Sequence, residues 1–566
     1  MDSFGFFLTC LLWIIPIQSL EAVGAWRDQT QQVLKGQQPH RVAIIGAGSA
    51  GSSAAYYLNK FSSDANTPTD ITVFERSSYI GGRSTTVNVF SNPLEPVEVG
   101  GSVFVEVNKN LVNAAKEFGL ETNRLQDSRP TQQDGAAAER LGIWNGEEFI
   151  FTQSDSSPSW WNTAKLLWKY GMAPVRTQRL MKSTVGTFLK MYEAPHFPFR
   201  SLSRVALDLG LTAITGSTGE QYLDENGIAP PFSTDIIQAS TRVNYAQNLP
   251  LIHGLETMVC MATDGAKAVK GGNWQIFAGM IDSSGADVRL NTSVTDIYPK
   301  PDGTFEIASQ GGDQSTTTSS VPPGILADPS TSETFDTVIL AAPLQYSKID
   351  ISPPPAHIPD AIPYVTLHVT LFTSPYRLNP SFFNLSTTAK VPNVVLTTLA
   401  PDDHPGSSRQ GVGSPGFFSI STLRTVTNPS SPRPRREEYL YKIFSPEAMQ
   451  AKYIHSLLDN IPSTDSTDAE NDADTPDPIT WIHHHRWHSY PYLYPRVTFD
   501  DPELTPASGR GGGLWYTSGI ESFIATMETS SLMGMNVARL VVDGWTGVMG
   551  REREGDNEEK ESGETA

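Results

Sequence analysis

Arg41-Val-Ala-Ile-Ile-Gly46-Ala-Gly48-Ser-Ala-Gly51 is the stretch on which the fold turns. The apolar run Val42–Ile45 is too short for a helix and stops at glycine, which is how a strand buried on both faces of a parallel sheet reads. The glycines open Ser52–Phe61, where Ala54, Ala55 and Leu58 give a helix a small-residue face, and Asp70–Glu75 (DITVFE) reads as a second strand. Together these make one βαβ unit. In such a turn Gly46 makes the bend, Gly48 lets the backbone approach a pyrophosphate held by the helix N-terminus, and Gly51 lets helix and sheet pack closely. Glu75, at the end of the second strand, stands where a carboxylate accepts hydrogen bonds from both hydroxyls of an adenosine ribose. It also repels a 2′-phosphate, so the ligand carries a plain ribose, as in FAD or NAD. Gly46, Gly48, Ser49, Gly51 and Glu75 form the expected first half of a dinucleotide site.

Around this unit lies a chain of 566 residues, 39% hydrophobic and 18% charged, long enough for two or three compact units. Its 41 Lys and Arg against 61 Asp and Glu leave a net charge of −20. That balance argues against a nucleic-acid binder, which needs a positive field to attract phosphates. Cysteine occurs at Cys10 and Cys260 only. Cys10 lies in the apolar run FFLTCLLWIIPI of residues 6–17, read as the core of a signal peptide over residues 1–25, although no Lys or Arg precedes it. Once that segment is removed, Cys260 has no partner, so paired-cysteine redox chemistry and thiolate metal clusters are excluded, and a buried apolar thiol is expected. The sequons at Asn291 and Asn384 are candidate glycosylation sites and fit a secretory route ending in a vacuole or lysosome-like compartment or outside the cell.

The dinucleotide unit is expected to be discontinuous. Val288–Tyr298, Phe335–Pro343 and Gly513–Val542 read as pieces that return to it. The expected layout assigns residues 41–130, 265–345 and 501–545 to the cofactor domain and 131–264 with 346–500 to a substrate domain, with a disordered acidic tail over 546–566. Residues 160–192 read as helical, Tyr364–Thr373 and Val391–Thr398 as strands. Residues 310–334, 401–415, 427–438 and 463–478 are polar and rich in Ser, Thr, Pro or Gly, and read as surface loops.

The choice between FAD and NAD rests on the next motif. Glu75 is followed by Gly81-Gly82-Arg83-Ser84-Thr85-Thr86 and then Glu98-Val-Gly100-Gly101, and this order resembles the second dinucleotide fingerprint of flavin oxidases related to monoamine oxidase. The resemblance implies that Gly82 and Gly100 border FAD and that Arg83 neutralises the diphosphate or approaches the flavin ring. It also implies that the segment Gly513–Gly519 followed by Met527-Glu528-Thr529 covers the flavin, with Glu528 and Val294 joining the cofactor set. Beyond these generic motifs, Leu166-Leu-Trp-Lys-Tyr-Gly171, Arg242-Val-Asn-Tyr-Ala-Gln247, Gly271-Gly-Asn273 and Gly513-Leu-Trp-Tyr-Thr-Ser518 resemble the prenylcysteine oxidases, also called prenylcysteine lyases. The resemblance runs from about Arg41 to Val542. It implies an α/β protein of the glutathione-reductase-like, amine-oxidase-related type, a Rossmann-type FAD-binding domain with an inserted α+β substrate domain. It implies an FAD-dependent oxidase that converts S-farnesyl- or S-geranylgeranylcysteine, with molecular oxygen and water, to cysteine, an isoprenoid aldehyde and hydrogen peroxide. No protein partner is implied.

The candidates for the substrate are Trp168, with its neighbours Trp160, Trp161, Leu166 and Leu167, as tunnel lining, Arg242 for the carboxylate by family position, and Tyr245. The same helical stretch carries Lys169, Arg176, Arg179 and Lys182, which also suits contact with a membrane surface. His483-His-His-Arg-Trp-His488 is aromatic and flanked by proline, which suits a strand or loop better than a metal-binding helix, and no metal site is expected. The flavin serves as sole redox group when hydride leaves a carbon beside sulfur, and no catalytic base is assigned. An amine or L-amino-acid oxidase on the same fold, and a secreted protein that binds prenyl lipid or flavin without turnover, are the competing readings.

Overall fold

Side chains along the first strand, His40–Ile45, sort the core into two layers. Val42 and Ile44 pack with Ile71, Val73 and Ile339 on the face that carries the helices. Ala43 and Ile45 pack with Phe74, Val338 and Leu340 on the opposite face. A strand needed on both faces has no polar positions to spare, which is why the run reads as continuous apolar sequence. The computed structural model describes residues 38–124, 139–154, 159–311, 330–406, 410–459, 478–508 and 512–547. The signal-peptide reading, most of the acidic tail, and most of the polar segments 310–334 and 463–478 fall outside these residues.

The central sheet runs Glu503–Thr505, Gly513–Tyr516, Thr337–Leu340, His40–Ile45, Thr69–Phe74 and Asp287–Arg289. Its pairings are parallel except at the 503–505 edge. His40 stands opposite Thr69 and Ile45 opposite Phe74, so both strands end together and Glu75 emerges beside the glycine turn. Helix Ser49–Asp64 starts three residues earlier than the small-residue face alone implies, and Glu75 lies just past the second strand. The opposite face is covered by a four-stranded sheet of Ser330–Phe335, Phe305–Gly311, Thr292–Pro299 and Asp350–Ile351, whose Ile297, Phe305 and Ile307 meet Phe74 and Leu340.

The C-terminal helix, Met527–Trp545, crosses helix Ser49–Asp64 on its small-residue face. The contact is backbone-close: a Cβ on Gly534 would lie 2.2 Å from the Ala50 carbonyl oxygen and 2.9 Å from the Ala54 nitrogen. Ser53 Oγ donates to the Ser531 carbonyl at 2.7 Å across the same crossing.

A second, seven-stranded sheet runs Trp481–Pro491, Tyr364–Ser374, Glu437–Ser445, Ser419–Thr427, Val394–Thr397, Glu139–Trp144 and Phe149–Ser154. The expected helical stretch 160–192 is broken at Gly171, whose φ of +58° reverses the chain between helices Ser159–Tyr170 and Ala173–Phe188. The segment 427–438 is less of a surface loop than its composition suggests, because Glu438 is fully buried at the start of a strand.

Substitution Gly534→Val forces the two helices apart and is expected to cost about 2–3 kcal/mol, read as a lowered urea midpoint. Gly186→Ala, in helix Ala173–Phe188 with no atom near its Cβ, is the control and is expected to stabilise by up to about 1 kcal/mol.

Candidate functional site

The glycine turn builds an open cradle. Gly46 takes a φ of +109° and donates its N–H to the Phe74 carbonyl at 2.8 Å. Gly51 sits so close to that turn that a Cβ would lie 1.8 Å from the Gly46 carbonyl oxygen. Gly48 differs: a Cβ there meets only the Cα of Gly82, at 3.8 Å. Gly48 also ends the helix without a side-chain cap, and the first turn carries no acidic residue, so the N-terminal N–H groups and the positive end of the helix dipole are left for an anion. Ser49 Oγ donates to the Met527 carbonyl at 2.6 Å, which ties the cradle to the C-terminal helix. Glu75 is aimed by two backbone donors, Ala47 N–H at 2.8 Å and Ser77 N–H at 2.7 Å. These contacts leave lone pairs on a carboxylate held at the mouth of the turn.

A second pair of glycine turns meets the first. Gly82 faces Gly48, and a Cβ on Gly100 would lie 2.4 Å from the Arg83 carbonyl oxygen. Gly101, at φ +44°, lies against Ser84 and the sulfur of Met527. Asn273, fully buried, locks this turn: its Nδ2 donates to the Gly101 carbonyl at 2.7 Å, and its N–H donates to Glu98 Oε1 at 2.6 Å. From the seven-stranded sheet, Lys442 Nζ reaches the Glu98 carbonyl and Ser102 Oγ, both at 2.9 Å. Burial raises the Glu98 carboxyl pKa, with the Asn273 N–H and Lys442 opposing, and burial lowers Lys442. Four buried polar atoms around this turn have no hydrogen-bond partner among the described residues: Ser84 Oγ, Glu98 Oε2, Trp487 Nε1 and Ser489 Oγ. Orphans on this scale mark a place where a polar ligand completes the network, and the uncapped helix, the Gly48 cradle and the Glu75 carboxylate fit a dinucleotide.

Several expected site residues have other work. The Arg83 guanidinium turns to Glu521, in a two-pronged contact at 2.8 and 2.6 Å, and to the Ser489 carbonyl, while Tyr364 donates to the same Glu521 at 3.1 Å. It is therefore a paired cation between the two sheets rather than a free counter-charge for a diphosphate. The Glu528 carboxylate accepts from Asn110 N–H at 2.8 Å, Leu111 N–H at 3.0 Å and Tyr192 O–H at 2.7 Å. It caps helix Lys109–Glu117, so any ligand contact at that position comes from backbone. Val294 is buried in the layer beneath the sheet with Ile45 and Phe74, two residues past Thr292, whose N–H donates to the Glu75 carbonyl at 2.9 Å.

Arg242 is not available to a substrate. It is fully buried, and all five of its N–H groups are used, on Thr397 Oγ1, Asn248 Oδ1 and the carbonyls of Gly411 and Val412. Burial pushes the guanidinium down to about 9, Asp403 opposing, and the group ties helix Gln238–Tyr245 to the seven-stranded sheet. Trp168 is 92% exposed, and Leu167 lies at the surface beside it, so neither lines a tunnel; the side chains of Trp160 and Trp161 fall outside the described residues. Tyr245 is buried, edge-on to Tyr490 at 5.1 Å, with its hydroxyl 3.4 Å from the Ala525 carbonyl, one residue before the C-terminal helix cap.

Beside it is a group that motif reading missed. Glu256 is fully buried, accepts from Ala525 N–H at 3.2 Å, and burial pushes its carboxyl up to about 8, the Tyr245 hydroxyl and the Ala525 N–H opposing. Its sequence signal is a lone charge in an apolar helix, Gly254-Leu-Glu-Thr-Met-Val-Cys-Met261, and Lys442 shows the same signal in the strand Tyr439-Leu-Tyr-Lys-Ile-Phe444. Cys260 on that helix is buried, and burial raises its thiol pKa. The histidine run is the edge strand Trp481–Pro491, where Trp481, His483, His485 and Trp487 stack along one face, and no metal-holding group occurs among the described residues. Asn291 and Asn384 are both exposed, at φ of 53° and 54°.

Residues 153–552 match the family model described as prenylcysteine lyase, and residues 44–118 match an NAD(P)-binding Rossmann-like domain. Relatives include farnesylcysteine lyase of Arabidopsis thaliana, 28% identical over 518 residues with 89% of this chain and 88% of that one covered. Prenylcysteine oxidase 1 of Homo sapiens is 27% identical over 533 residues, with 90% of each chain covered. Among solved structures, cyclohexylamine oxidase from Brevibacterium oxydans superposes with a TM-score of 0.50 at 14% identity, over 90% of this chain and 100% of that one, which shows a shared fold.

The raised Glu256 pKa makes a signed prediction. The folded state holds the proton more tightly than the unfolded chain, so this stabilisation is complete below about pH 4.5 and is lost as the pH rises through about 8. Glu256→Gln keeps an acceptor for Ala525 without the ionisation. The difference in Tm, variant minus wild type, is expected to grow from about pH 5 to about pH 8, and a flat difference would contradict a buried neutral carboxyl.

Proposed function

The chain belongs to the prenylcysteine lyase family, and from that premise we propose that it binds FAD and cleaves S-prenylcysteine to cysteine, an isoprenoid aldehyde and hydrogen peroxide. The observation that carries the cofactor half is the open face of Gly48 beside the orphaned polar atoms around Gly100 and Gly101. When bound, the flavin supplies acceptance of hydride from the carbon beside sulfur and delivery of the electrons to oxygen.

The residues then divide the work. Glu75 takes the ribose hydroxyls, and the uncapped N-terminus at Gly48 and Ser49 takes the diphosphate, while Arg83 stays paired with Glu521. Asn273 and Lys442 hold the Gly100–Ser102 backbone in place against the Gly82–Ser84 segment. Tyr245 and Tyr490 form an apolar wall next to the C-terminal helix cap, the kind of surface that suits a prenyl chain, with the buried Glu256 beside it. Residues 6–17 are assigned to secretory targeting.

The test is peroxide and free-thiol release by the purified protein given S-farnesylcysteine, with benzylamine and L-amino acids in parallel. Both products from the prenylcysteine alone are expected. Peroxide with amines or amino acids only would overturn the substrate, and silence throughout would favour a binding protein. For the cofactor, Gly48→Val fills the cradle, its Cβ meeting only Gly82 at ordinary contact distance, and is expected to abolish flavin retention in a folded chain. Glu75→Ala is expected to weaken flavin binding by about 1–3 kcal/mol.

A further inference from the structure

The corner formed by helices Ser159–Tyr170 and Ala173–Phe188 stands apart from the rest of the chain in charge and surface. Residues 159–192 contain Lys165, Lys169, Arg176, Arg179, Lys182 and Lys190 and no Asp or Glu, in a protein of net charge −20. All six cations are exposed. On the second helix Arg176, Arg179 and Lys182 recur every third residue along one face, while Thr177, Met181, Thr184, Val185 and Phe188 are buried on the other. Asp235 takes Lys169 at 3.3 Å, and Arg176 donates to the Gly227 carbonyl at 2.9 Å. Lys165, Arg179 and Lys182 form no ion pair among the described residues.

Apolar side chains crown this cationic corner. Trp168 is 92% exposed, Met172 55% and Leu167 36%, all next to the left-handed turn at Gly171. An indole left almost entirely in water is costly unless something covers it, because burying it contributes about 25 cal/mol per Å² of apolar area. Beside the turn, Lys169, Met172, Arg176, Pro230, Pro231 and Phe232 line an open cleft of about 400 Å³.

We infer that this corner docks the protein on an anionic lipid surface, with Trp168, Leu167 and Met172 entering the headgroup region and Lys165, Arg176, Arg179 and Lys182 facing the acidic phosphates. Tryptophan is the residue that gains most at a lipid–water boundary, where its ring is half apolar and half polar. The overall negative charge does not oppose the contact, since fields from remote acidic groups fade within about 8 Å at physiological ionic strength. Among the described residues no helix is long and apolar enough to cross a membrane. The second helix spans about 24 Å and leads into Leu189–Tyr192, where Tyr192 reaches Glu528, so the corner lies one helix length from the C-terminal helix at the candidate site. The inference stands on charge and exposure and does not depend on the identity of the substrate.

The test is flotation of the flavin-loaded full chain with vesicles of phosphatidylcholine alone and of phosphatidylcholine containing about one-third phosphatidylserine. The expected result is binding to the mixed vesicles only, weakened by salt. Lys165→Gln, Arg179→Gln and Lys182→Gln combined should lower partition about a hundredfold, at about fivefold per charge. Trp168→Ala should lower it about tenfold. Both variants should keep the wild-type melting temperature, flavin spectrum and turnover of dissolved S-farnesylcysteine, which separates loss of docking from loss of folding. Binding is read without substrate, so a protein inactive on farnesylcysteine leaves this result standing. Equal partition onto neutral vesicles, or a triple variant that binds like wild type, overturns the inference. So does equally tight binding to soluble polyglutamate with no effect of Trp168→Ala, which would point to an acidic protein instead.

Discussion

No side chain fits between residue 51 and the carbonyl of Gly46, and none fits between residue 534 and the carbonyl of Ala50. Helix Ser49–Asp64 is thereby held in backbone contact with the sheet on one side and with the C-terminal helix on the other. The rest of the cofactor domain depends on this double approach. It points the uncapped helix end at the space beside Gly48, puts Met527 within reach of Ser49 and Gly101, and brings Glu75 to the mouth of the turn. A larger residue at either glycine displaces the cradle as well as the core.

The two sheets are joined by buried charge rather than by apolar packing alone. Arg83 with the Ser489 carbonyl, Tyr364 with Glu521, and Lys442 with the Glu98 segment cross between the cofactor unit and the seven-stranded sheet, while Arg242, with four acceptors, ties helix Gln238–Tyr245 to the same sheet and its loops. Such contacts add little net stability, because desolvation offsets most of the attraction, yet removing one partner costs about 3–5 kcal/mol. Their effect is positional: a hydrogen-bonded ion has few alternative registers, so the seven-stranded sheet is fixed against the Gly100–Ser102 turn. A flavin ring bound there would meet a wall whose composition is set by the other sheet.

Legibility followed the distance over which each feature is encoded. The glycine spacing, Glu75, the two parallel strands and the non-helical character of the histidine run are all readable, because each depends on backbone preferences or alternation within a short stretch of chain. The sequence offers Arg83, Arg242, Glu528 and Trp168 as ligand contacts, and each is placed otherwise by partners more than a hundred residues away or, for Trp168, by exposure. Lys442 and Glu256 left a local trace, a lone charge in an apolar element, but nothing near them in sequence says that one meets Glu98 and the other Ala525.

The sequence by itself determined where the backbone turns, which helix end is left open to an anion, and which family the segments after it resemble, since glycine conformation and strand alternation are local properties. Only the tertiary structure decided which charged side chains are already satisfied and which surfaces remain bare. Hydrogen-bond capacity is finite, and whether an arginine has a donor left, or an indole a neighbour, depends on what the rest of the chain brings to it.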